Sequence, residues 1–164
     1  MYKATIALIF AALIASAAAY PNGSGTCRAD ADTISASAMS GPTNASPGGF
    51  TFTTSDANPN GGDSITLTVD NGPDGDIKGF LVYCVDPDTQ INGMDKRSGV
   101  MTAGDGQQIK IDCDEMGDYS STITHTQSND KTLPITFDYM VATWGGATTI
   151  ECRAAVLDNN QADW

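Results

Sequence analysis

From Phe50 onward, short apolar runs alternate with clusters of Gly, Asn, Asp and Pro at the spacing of an all-β domain. Phe50-Thr51-Phe52-Thr53-Thr54 is a first candidate strand, and Asn58-Pro59-Asn60-Gly61-Gly62-Asp63 is a turn. In Ile65-Thr66-Leu67-Thr68-Val69 the strict alternation places Ile65, Leu67 and Val69 on one buried face. A second turn, Asp70-Asn71-Gly72-Pro73-Asp74-Gly75, leads to Phe80-Leu81-Val82-Tyr83-Cys84, which is apolar on both faces as a central strand is. Asp86 to Gly99 reads as a polar loop. Ile109 to Ile111, Ile123 to His125, Ile135 to Tyr139 and Thr148 to Leu157 supply later strands. Pro134 cannot donate to a ladder and belongs at a strand start or an edge. Residues 20–49, rich in Ser, Ala, Gly, Pro and Asn, predict an irregular N-terminal segment. With about eight strands, no long helix and no internal repeat, the pattern predicts an all-β fold, an immunoglobulin-like β-sandwich.

The N-terminus has a different pattern. Lys3 precedes an unbroken stretch of apolar and small residues from Ala4 to Ala19, and Ala17-Ala18-Ala19 offers the small-x-small site of a signal peptidase. The stretch is short for a membrane span and lacks a stop-transfer flank. Residues 1–19 are therefore expected to be a secretory signal peptide and residues 20–164 one domain. The polar end, Asp158-Asn159-Asn160-Gln161-Ala162-Asp163-Trp164, predicts neither a membrane nor a lipid anchor. The expected location is extracellular.

Composition narrows the partners. Twenty acidic side chains against eight basic ones give a formal charge of −12, which disfavours nucleic-acid phosphates and anionic lipid. A hydrophobic content of 40% with four cysteines argues for a folded domain over a disordered chain. In an oxidising compartment Cys27, Cys84, Cys113 and Cys152 read as two disulfides, and sequence alone allows three pairings. No C-x-x-C pair is present, so zinc is not expected. Cys84 shares a face with Phe80 and Val82, and Cys152 shares one with Ile150, Ala154 and Val156. A buried Cys84–Cys152 bridge is consistent with these two inward-facing strands, and would leave Cys27–Cys113 to tie down the N-terminal segment.

Candidate chemistry is sparse. His125 is the sole histidine, and no G-x-S-x-G elbow or reactive cysteine accompanies it, so no catalytic residue is assigned. Asp86, Asp88 and Asp95 share one segment and are candidate calcium ligands, although the EF-hand spacing fails. Asp112, Asp114, Glu115 and Asp118 share another. The competing reading of both clusters is a solvated acidic surface. Carboxylates so placed also resemble a glycosidase pair, whose separation in space a sequence does not give. Asn22 and Asn44 lie in glycosylation sequons, and Pro47 disfavours use of the second. Trp144 and Tyr139 offer either a contact patch or core packing. No cofactor is expected.

Several segments together resemble the reelin N-terminal (reeler) domain family. Tyr20-Pro21-Asn22-Gly23 followed by Cys27 is similar to the family's opening, Lys78-Gly79-Phe80-Leu81-Val82 to its central strand, and Ser98-Gly99-Val100-Met101 to the segment after it. Thr124-His125-Thr126-Gln127-Ser128-Asn129-Asp130-Lys131 resembles its T-H-T-x-S-x-x-K signature, Thr149 to Val156 its late strand, and Trp164 its closing tryptophan. The resemblance implies an extracellular immunoglobulin-like β-sandwich, a Cys27–Cys113 disulfide, and structural roles for His125 and Lys131. The chain departs from the family in its extra pair, Cys84 and Cys152, and in having Asp138-Tyr139-Met140 where a Trp-x-x-Pro is usual.

The family includes matrix and guidance proteins, domains joined to electron-transfer modules, and small secreted insect defence proteins. This chain looks most like the stand-alone group. The resemblance thus implies a secreted, non-enzymatic protein that binds an extracellular target, such as microbial surface material, in innate defence. An extracellular-matrix or adhesion module contacting host proteins is the alternative. The acidity excludes a broad basic patch for gripping anionic membranes.

Overall fold

A computed structural model of the chain describes residues 5–10, 23–29, 49–71, 75–117, 119–143 and 149–158. Eleven strands occur among them: β1 Thr5–Phe10, β2 Thr51–Thr54, β3 Ser64–Asp70, β4 Asp76–Ile91, β5 Met94–Arg97, β6 Val100–Thr102, β7 Gln107–Ile109, β8 Thr122–His125, β9 Lys131–Thr132, β10 Ile135–Met140 and β11 Thr149–Asp158. Two 3₁₀ segments, Ile111–Met116 and Tyr119–Ser121, join β7 to β8. No helix among the described residues is long and apolar enough to cross a membrane.

The strands form two sheets. One has the order β2-β3-β10-β6. The other is built around β4, whose 16 residues run with β11 along one edge. Its other edge is shared in turn by β9 at Asp76–Ile77, β8 at Leu81–Tyr83 and β5 from Val85 to Ile91. β7 continues this sheet beyond β8, and β1 lies parallel to β11 on the far edge. That edge strand falls within the expected signal peptide. The rest of the leader and its cleavage site lie outside the described residues.

The alternation of β3 works as the sequence predicts: Ile65, Leu67 and Val69 are buried between the sheets beside Phe52, Met101, Phe137 and Tyr139. Facing them are Phe80, Val82 and Cys84 of β4, Ile123 of β8, and Ile150, Cys152, Ala154 and Val156 of β11. β4 is apolar on both faces for a reason now visible. Leu81, Tyr83 and Val85 point the other way and make a second cluster with Ala29 and Ala155 on the outside of the larger sheet. The N-terminal segment covers part of that face, since the Ala29 N–H donates to the Tyr83 hydroxyl at 3.0 Å.

Two disulfides staple the layers, Cys84–Cys152 inside the sandwich and Cys27–Cys113 across the outer face. Each closes a long loop, worth about 4 kcal/mol in the chain-entropy model.

The structure corrects three expectations. Asp86 to Gly99 is not a loop: β4 runs on to Ile91 and returns as β5 through a two-residue turn at Asn92-Gly93, both at positive φ. Pairing jumps from Asp86–Lys96 to Gln90–Asp95, so Pro87, Asp88 and Thr89 bulge out of the ladder. These polar residues form the bulge that the composition presents as a loop. The strand expected over Ile109 to Ile111 ends at Ile109, because the chain tightens into a 3₁₀ turn. Tyr139 belongs to the core, 1% exposed, with its hydroxyl donating to the Ser98 carbonyl at 3.0 Å. Trp144 lies outside the described residues.

Candidate binding site

Two polar constellations lie at opposite ends of β4. The first joins the segments Lys78-Gly79-Phe80 and Thr124 to Lys131. The Phe80 N–H donates to His125 Nδ1 at 3.1 Å, and the Thr124 hydroxyl donates to the Phe80 carbonyl at 2.9 Å. The imidazole is 4% exposed and stands edge-on to Phe80. It lies so close to the backbone that a Cβ on Gly79 would come within 2.7 Å of His125 Cε1.

Lys131 closes the other side. Its ammonium donates to the carbonyls of Lys78 and Gln127, each at 2.6 Å, and of Asn129 at 2.7 Å. Burial holds its pKa below the usual lysine value, with Asp130 opposing the shift and Lys78 adding to it. Three donors meet three acceptors, which is the full capacity of an ammonium group. A register shift between Leu157 and Asp158 supplies the bend here, and it keeps Ile77 turned into the core.

The second constellation is a hollow of about 160 Å³ on the outer face of the larger sheet, lined by Arg28, Tyr83, Gln90, Gly93, Met94, Asp95, Arg97 and Arg153. Adjacent strands assemble it. Arg153 of β11 pairs across from Tyr83 of β4, Arg97 of β5 pairs across from Val85, and Arg28 arrives on the segment held by Cys27–Cys113. Arg97 is 2% exposed, stacks with its guanidinium carbon 3.6 Å from the Tyr83 ring centre, and donates through Nη2 to the Cys27 carbonyl. Its Nε is buried without a hydrogen-bond partner. Arg153 is paired, with Asp95 at 2.5 Å and with Glu151.

The two guanidinium groups titrate in opposite directions. Burial pushes Arg97 down to about 10, with Arg153 and Arg28 adding to the effect and Tyr83 opposing it. Burial also acts to lower Arg153, but its hydrogen bonds to Glu151 and Asp95 outweigh that and raise it.

The candidate calcium ligands do not converge. Asp86 is buried and its carboxylate accepts the Asp88 N–H at 3.0 Å and the Thr89 hydroxyl at 2.8 Å, fastening the bulge. Asp88 is exposed, and Asp95 is the partner of Arg153. Among the described residues, one group of potential metal ligands comes together, Cys27, Asp112 and Cys113, and its two sulfurs are joined in a disulfide. Asp112 pairs instead with Lys110 at 2.8 Å. Asn22, Asn44, Asp118 and Trp164 lie outside the described residues.

Sequence reading did not find the hollow. The Asn92-Gly93 pair between Ile91 and Met94 was the available signal, since that dipeptide marks a tight hairpin and would have brought Asp95 and Arg97 onto the sheet.

Comparison with known proteins agrees with this architecture. The reeler domain family model matches residues 31–164. The chain belongs to the reeler domain family. Among solved structures it is similar to the Reelin-N domain of F-spondin, with 15% identity over 68% of this chain and 73% of that one and a TM-score of 0.50. Two fragments of the human F-spondin reeler domain match over the same share of this chain. One gives a TM-score of 0.52 at 14% identity and covers 76% of that chain. The other gives 0.50 at 15% and covers 80%. A comparison with curated proteins found no match. The structural likeness shows a shared reeler sandwich. The family and the two disulfides mark this as an extracellular type of domain.

Proposed function

We propose that the mature chain, residues 20–164, is a secreted, non-enzymatic reeler-domain protein that binds an extracellular target, namely microbial surface material in innate defence. The observation that carries the binding role is the outer hollow. All three arginines of a chain with a net charge of −12 gather there, on a face braced by a disulfide. The remaining polar chemistry supports a role without catalysis. His125 is buried as an acceptor for the Phe80 backbone, Lys131 is enclosed by carbonyls, and the four cysteines are paired. Such groups hold a scaffold in place, and a scaffold of this kind presents a recognition surface.

The test is a pull-down of purified protein with bacterial and fungal cells, with isolated cell-wall polymers, and with matrix proteins, each with and without calcium. Saturable binding to microbial material is the expected result. Retention by a host matrix protein alone would replace this reading with an adhesion module. A hydrolase activity that disappears in His125→Ala would overturn the non-enzymatic assignment.

A further inference from the structure

An arginine buried on the outer face of a sheet has two usual fates. It is paired with a carboxylate, or its donors are shared among carbonyls. Arg153 follows the first, through Glu151 and Asp95. Arg97 follows neither completely. Nη2 reaches the Cys27 carbonyl, the ring of Tyr83 covers one face, and Nε stays unpartnered beside the hollow. Around that hollow three guanidinium groups face the single carboxylate of Asp95, which Arg153 already engages. The lining therefore carries a surplus of positive charge and an unused donor, and burial makes both expensive to leave unmatched.

We propose that this hollow binds a compact oxyanion, a carboxylate or phosphate group, which accepts a hydrogen bond from Arg97 Nε and is covered by Arg28. The inference rests on the binding role proposed above and names the chemistry that the same surface recognises. Guanidinium groups offer planar forks that match oxyanions of this size. The volume sets the scale: about 160 Å³ accommodates a group of roughly five water volumes. The charge of the chain sets the shape. A long polyanion would leave the arginines and run over a surface dominated by Asp and Glu, whereas a terminal or monomeric oxyanion meets mainly the arginines.

The test is an NMR titration of the whole mature chain, following the arginine Nε–H resonances. Separate arms use glucuronate, inorganic phosphate, chloride at matched ionic strength, and a long sulfated glycan. Saturable movement of the Arg97 Nε–H with glucuronate or phosphate is expected, and the stronger of those arms identifies the source of the oxyanion. Chloride should give none, and the glycan should bind no more tightly per charged group than the monomers. Arg97→Lys keeps the charge but removes the Nε donor, and should weaken binding about tenfold, the value of one charge-assisted hydrogen bond. Arg28 is exposed, so Arg28→Gln leaves the fold intact and should weaken binding about threefold even if Arg97→Lys fails to fold.

An Arg97 Nε–H that ignores both oxyanions, or binding unchanged in Arg28→Gln, overturns the inference. If cells are bound while both oxyanions fail, the binding role stands and this site falls. If the oxyanions bind while no cell or polymer does, the site stands and the microbial target falls.

Discussion

The two polar constellations on β4 use the same kinds of group and resolve them differently. At the Gly79 end, His125, Thr124 and Lys131 all meet partners, and the three N–H donors of Lys131 end on three carbonyls. At the Tyr83 end, Arg97 is as deeply buried as any of these, yet its Nε finds no acceptor and two further arginines crowd the same hollow. A satisfied network rigidifies a fold, and an unsatisfied one is held in place by surroundings that have been stabilised elsewhere. The difference separates the part of this reeler domain that keeps the sandwich together from the part that faces a ligand.

The largest effect should come from the disulfide that braces the hollow. Replacing Cys27 and Cys113 by Ser removes about 4 kcal/mol by the chain-entropy account, read as a lower midpoint in denaturant titration. Oxyanion binding should be lost as Arg28 is released, while the amides of Phe80 and His125 keep their order of hydrogen-exchange protection. Equal loss of protection at both ends would mean that the two constellations are one cooperative unit.

Next comes the interlock itself. Gly79→Ala drives a methyl group to within 2.7 Å of His125 Cε1, and the ring has no room to retreat inside a packed sheet. The expected destabilisation is about 3 kcal/mol, the upper range for overpacking, with no change in oxyanion affinity.

A paired substitution sharpens the contrast further. Lys131→Met leaves three carbonyls without their donor and should cost about 2 kcal/mol. Arg97→Met removes an incompletely paired buried charge and fills its space with an apolar chain. It should change stability by less than about 1 kcal/mol in either direction while abolishing the oxyanion response. Thermal denaturation of the two variants side by side is the measurement. A larger loss from Arg97→Met than from Lys131→Met would make Arg97 a structural residue.

The smallest effect belongs to Asp112, next to the outer disulfide. Its hydrogen bond with Lys110 holds its pKa below 3.8, so the pair contributes stability above that pH and loses it as the pH falls through the depressed folded value. Asp112→Asn should leave stability at neutral pH within about 0.5 kcal/mol, as for an exposed pair, and flatten the acid limb below pH 3.8.

Much of the scaffold was legible because strands write their burial into a period of two. Ile65, Leu67 and Val69 named a face, and the run from Phe80 to Cys84 named a strand covered on both sides. Asp86 to Gly99 misled because a bulge and a tight turn use the same Asp, Pro, Asn and Gly as a loop. The signature segments were legible as words but not as a contact: nothing in Thr124 to Lys131 says that Lys78, Gly79 and Phe80 are what they hold. Arg28, Arg97 and Arg153 were least legible, since each alone reads as an exposed cation.

The order of apolar and polar residues, together with the four cysteines, determined by itself that this chain builds an all-β domain of the reeler kind, because local periodicity and covalent capacity are properties of the chain. Only the tertiary structure decided which charges are matched. Pairing depends on which strands lie side by side, and it was the placement of β5 and β11 against β4, with Cys27 fastened to Cys113, that gathered three distant arginines around one tyrosine.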